Sequence, residues 1–385
     1  MKKIQSFLIV IIPLVVSLLF VPTRALADNG QTRSGQIKAI SQNLYVGADL
    51  FRILSATAPE QIPVVTAEVF FIIQATNFPE RAEAIAEVIE DKRPDVIGLQ
   101  EVSLLRVQSP SDFFIGNPNP AETVVYDYLQ ILLAALERRG LHYRVASEVQ
   151  NIDVELPAFV DFDPDTGAPL FDDVRLTDRD VILVRNNVDD ANAVGVNFGV
   201  NLEVPVAGLT LAFTRGYTAV DATVRGKTFR VVNTHLEVKG EGLVPFIQML
   251  QAQELVGVLA TENRPVVLLG DLNSPADDVI DPATGFVPPI FQFQSAGFTD
   301  VWALGGEGAG FTCCQAEFLV SINSAYNERV DYVLYRDEDL SPLGHKTRID
   351  AELLGDEVED KTASGLWPSD HAGVYARIRI PVTVD

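Results

Sequence analysis

The sequence predicts a layered α/β domain with sheet faces packed together, and three observations carry that expectation. Two stretches repeat one plan: RPDVIGLQE at 93–101 and RPVVLLGDLN at 264–273 each join an Arg-Pro stop to an apolar run that delivers a carboxylate. Each is preceded by a largely apolar helical segment. The runs themselves are continuous rather than alternating, which is the pattern of strands buried on both faces and covered by helices. No stretch reads as an interdomain linker, so residues 37–385 are expected to form one domain.

The elements follow in order. A first strand is predicted over IKAISQNLYVG, 37–47. A helix starts near Asn77, with Pro79 and Glu80 in its first turn. Ala82, Ile85, Ala86 and Ile89 recur at helical spacing as its buried stripe, and Arg93-Pro94 stops it. The strand DVIGLQEV then runs to Glu101. A turn-rich loop containing SPSDFFIGNPNP occupies 103–122, and a helix is predicted from Val124 to Arg139, ending at Gly140. Residues 151–178 are acidic and broken by prolines, and read as irregular. RDVILVR, LTLAFTRGYTAVDATV and FRVVNTHLEV read as strands. Phe246, Leu250, Leu255 and Leu259 mark the second helix, stopped by Arg264 and Pro265 before VVLLGDLNS. In the closing PSDHAGVYARIRI, Val374, Ala376, Ile378 and Ile380 share one face and Tyr375, Arg377 and Arg379 the other, a half-buried strand. DPDTG (163–167) and DPATG (281–285) are turn formers. Asp161, Asp163, Asp165 and Asp172 faintly imitate a calcium loop, but Gly167 is misplaced and no glutamate closes it, so a solvated turn is expected.

Composition narrows the function. Lys2 and Lys3, the apolar run Phe7–Val21 and Ala25-Leu26-Ala27 form a secretory signal with cleavage after Ala27. A short linker, 28–36, follows. The leader takes three of the 29 basic residues and none of the 53 acidic ones, leaving 26 against 53, a formal charge of −27. The product is expected outside the cytoplasm, secreted or periplasmic, with no membrane span after cleavage and no protein partner implied. So acidic a chain repels polyanions at long range, and no dense basic run offers a grip on phosphate backbones. Cys313 and Cys314 are adjacent. Two free thiols at a strand end and a bond between neighbours both fit, and no metal-thiolate spacing exists.

The chemistry collects at strand ends: Asn43 in SQNLYVG, Glu101 in GLQEV, His235 in VNTHLEV, Asp271 and Asn273 in LGDLNS, Asp331 in RVDYVLYR, and Asp370-His371 in PSDHAGVY. Oxygen donors such as Glu101 and Asn43 suit a hard cation, Mg2+ or Mn2+. A histidine with a carboxylate suits activation of water. That inventory describes metal-assisted hydrolysis of a phosphate ester. Ser369 lacks the strand-turn-helix elbow of an esterase nucleophile.

QNLYVG, GLQEV, NTHLE, GDLNS, RVDYVL and SDH, in this order from about Ile37 to Ile380, resemble the endonuclease/exonuclease/phosphatase superfamily, the DNase I-like fold. The resemblance implies a four-layer α/β/β/α sandwich of two packed mixed sheets flanked by helices. It implies Glu101 as principal metal ligand with Asn43 assisting and Asp370 as a second acidic position. Asp331 would orient His371, the base or phosphate-binding imidazole. Asp271 and Asn273 would position or activate water, and His235 would stabilise the phosphoryl group. Where several nuclease members carry an acid two residues beyond the motif asparagine, this chain has Tyr45, which puts a second metal in question. Arg179, beside Asp180 at a strand start, and Arg215 in TRGY are candidate substrate contacts. The expected substrate is a phosphate ester of nucleic acid or of a phospholipid head group, with sugar or inositol phosphates as the alternative. Missing basic runs weaken the first, and FFIGNP (113–118) mildly favours a membrane-surface substrate. A non-catalytic binding module on the same scaffold would have lost a key polar residue, and none is lost.

Overall fold

A computed structural model of the chain describes residues 35–337 and 347–380. The expected leader, its cleavage point and most of the short linker lie outside them.

The chain begins with strand β1 (Gly35–Asn43), helices α1 (Ile62–Ala75) and α2 (Phe78–Lys92), and strands β2 (Val96–Gln100), β3 (Leu104–Gln108) and β4 (Thr123–Asp127). Helix α3 (Tyr128–Arg138) leads into a long hairpin, β5 (Tyr143–Phe162) and β6 (Pro169–Arg185). Strands β7 (Asp189–Asn197), β8 (Leu202–Val206), β9 (Leu209–Phe213), β10 (Gly216–Val224) and β11 (Lys227–His235) precede α4 (Val244–Leu259) and β12 (Val266–Asp271). The chain closes with α5 (Pro289–Ser295), β13 (Thr299–Asp300), α6 (Trp302–Gly305), β14 (Asp331–Arg336), β15 (Arg348–Leu354) and β16 (Gly373–Ile380).

Two mixed sheets result. One runs β15-β16-β1-β2-β6-β3-β4, with β5 on the other edge of β6, and the second runs β13-β14-β12-β11-β10-β7. Each contains one parallel pair, β1 with β2 and β11 with β12, and these are the strands that follow the repeated helix-strand plan. Alternate residues separate three cores. Ile37, Ala39 and Val96 meet Val231, Val267 and Val333 between the sheets. Ile97 and Leu99 turn the other way, onto Phe78, Ile85 and Leu132 of α2 and α3. Val266 and Leu268 face Leu255, Leu259 and Phe293 of α4 and α5. This is the four-layer order, helices, sheet, sheet, helices. Each fully buried aliphatic side chain contributes about 1.5–3 kcal/mol to it.

The sheets are also pinned to each other by polar groups. Asn233 of β11 donates to Leu99 O at 2.9 Å and Val181 O at 3.3 Å, and accepts from Gln100 Nε2 at 2.5 Å. Gly98 makes room for it: a Cβ there would sit 2.6 Å from Asn233 Oδ1 and 2.8 Å from Leu269 Cβ. A buried polar tie of this kind fixes which residues of one sheet lie over the other.

The structure departs from the sequence expectations in several places. The loop expected over 103–122 contains strand β3, paired with β4 and β6, and LTLAFTRGYTAVDATV divides into β9 and β10, which belong to different sheets. The first strand ends at Asn43 rather than at residue 47, because Tyr45 and Gly47 both take positive φ (58° and 110°). The helix expected from Val124 starts at Tyr128: the β-branched Thr123–Val125 segment pairs with β3, and Asp127 caps the helix by accepting from Leu129 N and Gln130 N. Residues 151–178 are not irregular but form most of the β5–β6 hairpin. Three register shifts interrupt that ladder, and Pro157 is tolerated because β5 pairs on one side only. Helix α1 had no clear signal, since its stripe is apolar nearly all round. The DPDTG segment does form the hairpin's tip, where Asp163 accepts from Asp165 N and Thr166 N. Among the described residues no single helix is long and apolar enough to cross a membrane; the bent pair of Pro59–Ala75 and Phe78–Lys92 passes by composition, but its apolar face is packed into the core.

Candidate active site

Strand period explains why the polar residues meet. On β12 the inward positions are Val267 and Leu269, so two residues further Asp271 also faces the other sheet. The same parity puts His235 beyond Val231 and Asn233, Asp331 ahead of Val333, and Asn43 beyond Ile37 and Ala39 on the inter-sheet face. Register then places His235 opposite Asp271, and Asp271 opposite Asp331, as one row across three strands. The apolar core thus ends in a polar rim at one mouth of the sandwich.

Glu101 reaches that rim by a different device. Strands β2 and β3 lie along the same edge of β6, and the ladder breaks between Leu99 and Leu104. Glu101 sits in the break at φ 55°, so its side chain is re-aimed, as bulged residues beside active sites often are. Tyr45 and Asn273 also take left-handed backbone, at φ 58° and 47°. Such conformations cost about 1–3 kcal/mol each and persist where surrounding bonds impose them. Here Glu101 Oε2 accepts from Val46 N at 2.6 Å and Asn273 N donates to Asp271 Oδ1 at 2.9 Å.

The rim encloses a cleft of about 380 Å³ whose lining includes Glu101, Asp271, Asn273, His235, Asp370 and His371. Asn43 and Asp331 lie beneath them. Asn43 Nδ2 donates to Glu101 Oε1 and to Asp271 Oδ2, both at 3.1 Å, tying the two sheets' carboxylates together. Asp331 Oδ2 accepts from His371 Nδ1 at 2.7 Å, which leaves Nε2 toward the cleft, 4.0 Å from Asp370 Oδ1. His371 therefore takes its partner from β14 and not from its neighbour.

The charges follow from burial. Burial and the Asp331 charge push the Asp271 carboxyl up to about 7. Burial raises Asp370 to about 7 as well, with His371 opposing and Glu101 adding to the rise. Burial alone would depress His371, but Asp331, Asp370 and Asp271 surround it and hold its imidazole well above the usual histidine range. His235 goes the other way, depressed by burial, Arg215 and His371. Arg215 Nη1 lies 2.9 Å from His235 Nδ1. A guanidinium only donates, so Nδ1 accepts and the neutral ring carries its proton on Nε2. Nε2 lies 3.6 Å from Asp271 Oδ2 and 3.1 Å from Asn273 Nδ2, which donates to Leu236 O at 3.0 Å.

The donor set fits a divalent cation. Among the described lining residues, six carboxylates (Asp49, Glu101, Asp178, Asp271, Glu317, Asp370) face one guanidinium, Arg215. An added cation would offset that excess of acidic groups. Asp271, Asp331 and His371 also bring ligand atoms within 4.8 Å of one another, although the imidazole–carboxylate bond already accounts for that closeness.

The two candidate substrate arginines part company. Arg215 lines the cleft, buried against His235 and 3.6 Å from Glu237 Oε1. Arg179 is absent from the lining: it donates to Val102 O at 3.1 Å and to Asp127 Oδ1 at 2.9 Å, closing the break around Glu101. Cys313 and Cys314 lie on the cleft's rim and are disulfide-bonded. The FFIGNP segment lies away from the cleft, with Phe114 against Phe171.

Two participants, Asp178 and Arg81, escaped the sequence reading, and Asp180, expected with Arg179 at a strand start near the phosphate, lies within β6 and outside the cleft lining. Asp178 lines the cleft with Oδ1 unpartnered, its carboxyl raised to about 6 by burial and by Glu101. Asp180 beneath it is raised further, by burial and by Asp178. The one signal for Asp178 was a pair of acids at the head of an apolar strand. Arg81 is fully buried on α2 and donates to Thr76 O, Leu44 O, Tyr45 O and Pro368 O. It thereby binds the segment after Asn43 to the one before Asp370. A lone arginine beside Ala82 on the apolar stripe was its only mark.

Comparison with known proteins agrees with this geometry. Residues 43–371 match the model of the Endonuclease/Exonuclease/phosphatase family. No curated protein matches the chain by sequence. An endonuclease/exonuclease/phosphatase family protein from Bacteroides thetaiotaomicron superposes with a TM-score of 0.51 at 14% identity, covering 91% of this chain and 100% of its own. D. rerio TDP2, humanized by 14 mutations, gives 0.50 at 17% identity, covering 89% and 98%. A protein of the same family from Beutenbergia cavernae gives 0.49 at 20% identity, covering 90% and 72%. At these identities the first two likenesses show the fold alone.

Proposed function

The chain belongs to the endonuclease/exonuclease/phosphatase family, hydrolases of phosphate esters, and from that premise we propose that it is an exported, magnesium-dependent phosphodiesterase. One observation carries the reading: the Asp331–His371 pair and the raised Asp271 carboxyl share a cleft with Glu101 and Asp370. Glu101 and Asp370, with Asn43 beneath, would hold the cation. Oxygen donors of this kind suit Mg2+, with Mn2+ the alternative. When bound, the ion supplies Lewis-acid polarisation of a phosphoryl oxygen.

The chain's own residues do the rest. Asp271 lines the cleft with its carboxyl raised by burial and by Asp331, and in this reading it serves as the base that accepts a proton from water. Asn273 positions that water. The water oxygen bonds to phosphorus, its proton passes to Asp271, and the ester oxygen leaves and is protonated from solvent. His371, held cationic by its carboxylates, faces a phosphoryl oxygen, and His235 donates from Nε2 to another. Export is proposed from the leader alone.

The test is a panel of bis-p-nitrophenyl phosphate, p-nitrophenyl phosphate, plasmid DNA, RNA, sphingomyelin and inositol phosphates, with magnesium and with EDTA. Diester hydrolysis that EDTA abolishes and Glu101→Gln reduces by roughly a thousandfold is expected. Monoester turnover alone would replace this reading with that of a phosphatase. Metal-independent turnover, or full activity in Glu101→Gln, would overturn the site.

A further inference from the structure

The cleft has two unlike walls. Besides the polar rim, the lining includes Leu50 and Phe51 from a 3₁₀ turn (Leu50–Ser55), Ile152 of β5, Leu176 of β6 and Phe213 of β9. Phe51 and Phe213 stack with ring centroids 5.2 Å apart and planes 22° from parallel. The wall hangs on a two-stranded sheet, β8–β9, separate from both main sheets, whose Val204, Leu209 and Leu211 pack on the helical side of the first sheet. Polar and apolar walls belong to one continuous cleft of about 380 Å³, a volume suited to one small molecule.

Charge limits what can enter. Binding a nucleic-acid strand needs cations spaced along successive phosphates. Among the described lining residues the cations are Arg215, engaged with His235 and Glu237, and the His371 imidazolium, held by Asp331, which together serve one phosphate and not a row of them. The cleft thus provides for one phosphate at the polar wall and for apolar surface within the same lining.

We propose that the site takes a small phosphate ester with one compact apolar substituent, aryl or short alkyl, seated against Phe51 and Phe213. The inference rests on the phosphoesterase reading and narrows it to a substrate class. A ring buried against that wall strengthens binding roughly ten- to a hundredfold over a methyl group.

The experiment compares phenylphosphonate with methylphosphonate, neither of which has an ester bond to hydrolyse, binding to the full chain with magnesium by calorimetry. An oligonucleotide is the third ligand, and bis-p-nitrophenyl phosphate turnover is measured in parallel. Phenylphosphonate is expected to bind ten- to a hundredfold more tightly than methylphosphonate. Phe51→Ala should cut that preference below about threefold without changing methylphosphonate affinity. Phe213 is buried, so Phe213→Leu, which keeps most of the volume, is its companion, with thermal melting as the check on folding. Equal affinity for the two phosphonates, a preference that survives both variants, or tighter binding of the oligonucleotide would overturn the substrate class. With ester turnover intact, those results sink this inference alone; absence of both turnover and phosphonate binding sinks the phosphoesterase reading with it.

Discussion

The polar and apolar walls belong to one cleft, yet they are built in opposite ways. The polar wall is an extension of the two main sheets: His235, Asp271 and Asp331 are the next inward positions of strands whose earlier positions form the core. Their placement costs little beyond the burial of charge, because the core already fixes the strands. The apolar wall comes from a 3₁₀ turn, a long hairpin and a separate two-stranded sheet. The fold therefore dictates the chemistry, while peripheral segments dictate what the chemistry acts upon. Changes on the polar wall should alter the rate, and changes on the apolar wall should alter the choice of substrate.

The sharpest break of that division is at His371. Asparagine there keeps a donor toward Asp331 but removes the charge facing the cleft. His371→Asn is expected to lower kcat by about a thousandfold with little change in KM. A variant that raised KM and kept kcat would move His371 to the binding side.

Asp178 tests whether a residue between the walls belongs to either. A buried carboxyl raised to about 6 holds its proton more tightly in the folded chain than in the unfolded one, where the value is 3.8. Folded-state proton uptake exceeds unfolded uptake across that window, so stability falls as pH rises through it and stays lower above it. Asparagine removes the cost. Asp178→Asn should be more stable than the parent above pH 7, by on the order of 3 kcal/mol. The gap should close toward pH 4, as read from urea midpoints at pH 4, 5.5 and 8. A gap independent of pH would mean that the change acts through packing.

The same contrast explains what the sequence made legible. Strand-end acids, amides and histidines stand out because each interrupts an apolar run, and parity then carries Asn43, His235, Asp271 and Asp331 to one face. The layered α/β arrangement with packed sheet faces follows from the repeated helix-strand plan, and the family resemblance implied the four-layer order. Leu50, Phe51, Ile152, Leu176 and Phe213 carry no such mark, since an apolar residue on a peripheral segment looks the same whether it lines a cleft or fills a core. The β5–β6 hairpin was obscured by its acids and prolines, which register shifts and one-sided pairing accommodate. The Val124 helix start was misplaced because a short β-branched segment and a cap, Asp127, adjoin the helix. Asp178 and Arg81 needed the third dimension: a buried charge is identified by what surrounds it.

The smallest expected effect is at Arg179, and it separates the two arginines that the sequence could not. Arg215 stands in the cleft against His235, so its loss would disturb the polar wall. Arg179 instead closes the break in the ladder around Glu101, through Val102 O and the Asp127 carboxylate that caps α3. Only about 14% of its side chain is exposed, so its two bonds are partly shielded from water. Removing it leaves Asp127 with its two backbone donors and frees one carbonyl, a change worth about 1–2 kcal/mol of stability. Arg179→Ala should therefore melt a few degrees lower while binding substrate with an unchanged KM. Arg179→Lys should recover part of the melting temperature, since an ammonium can reach one of the two acceptors but cannot fork between them. A rise in KM in Arg179→Ala at a temperature where the variant is fully folded would return Arg179 to the substrate, and would mean that the polar wall extends past the break that Glu101 occupies.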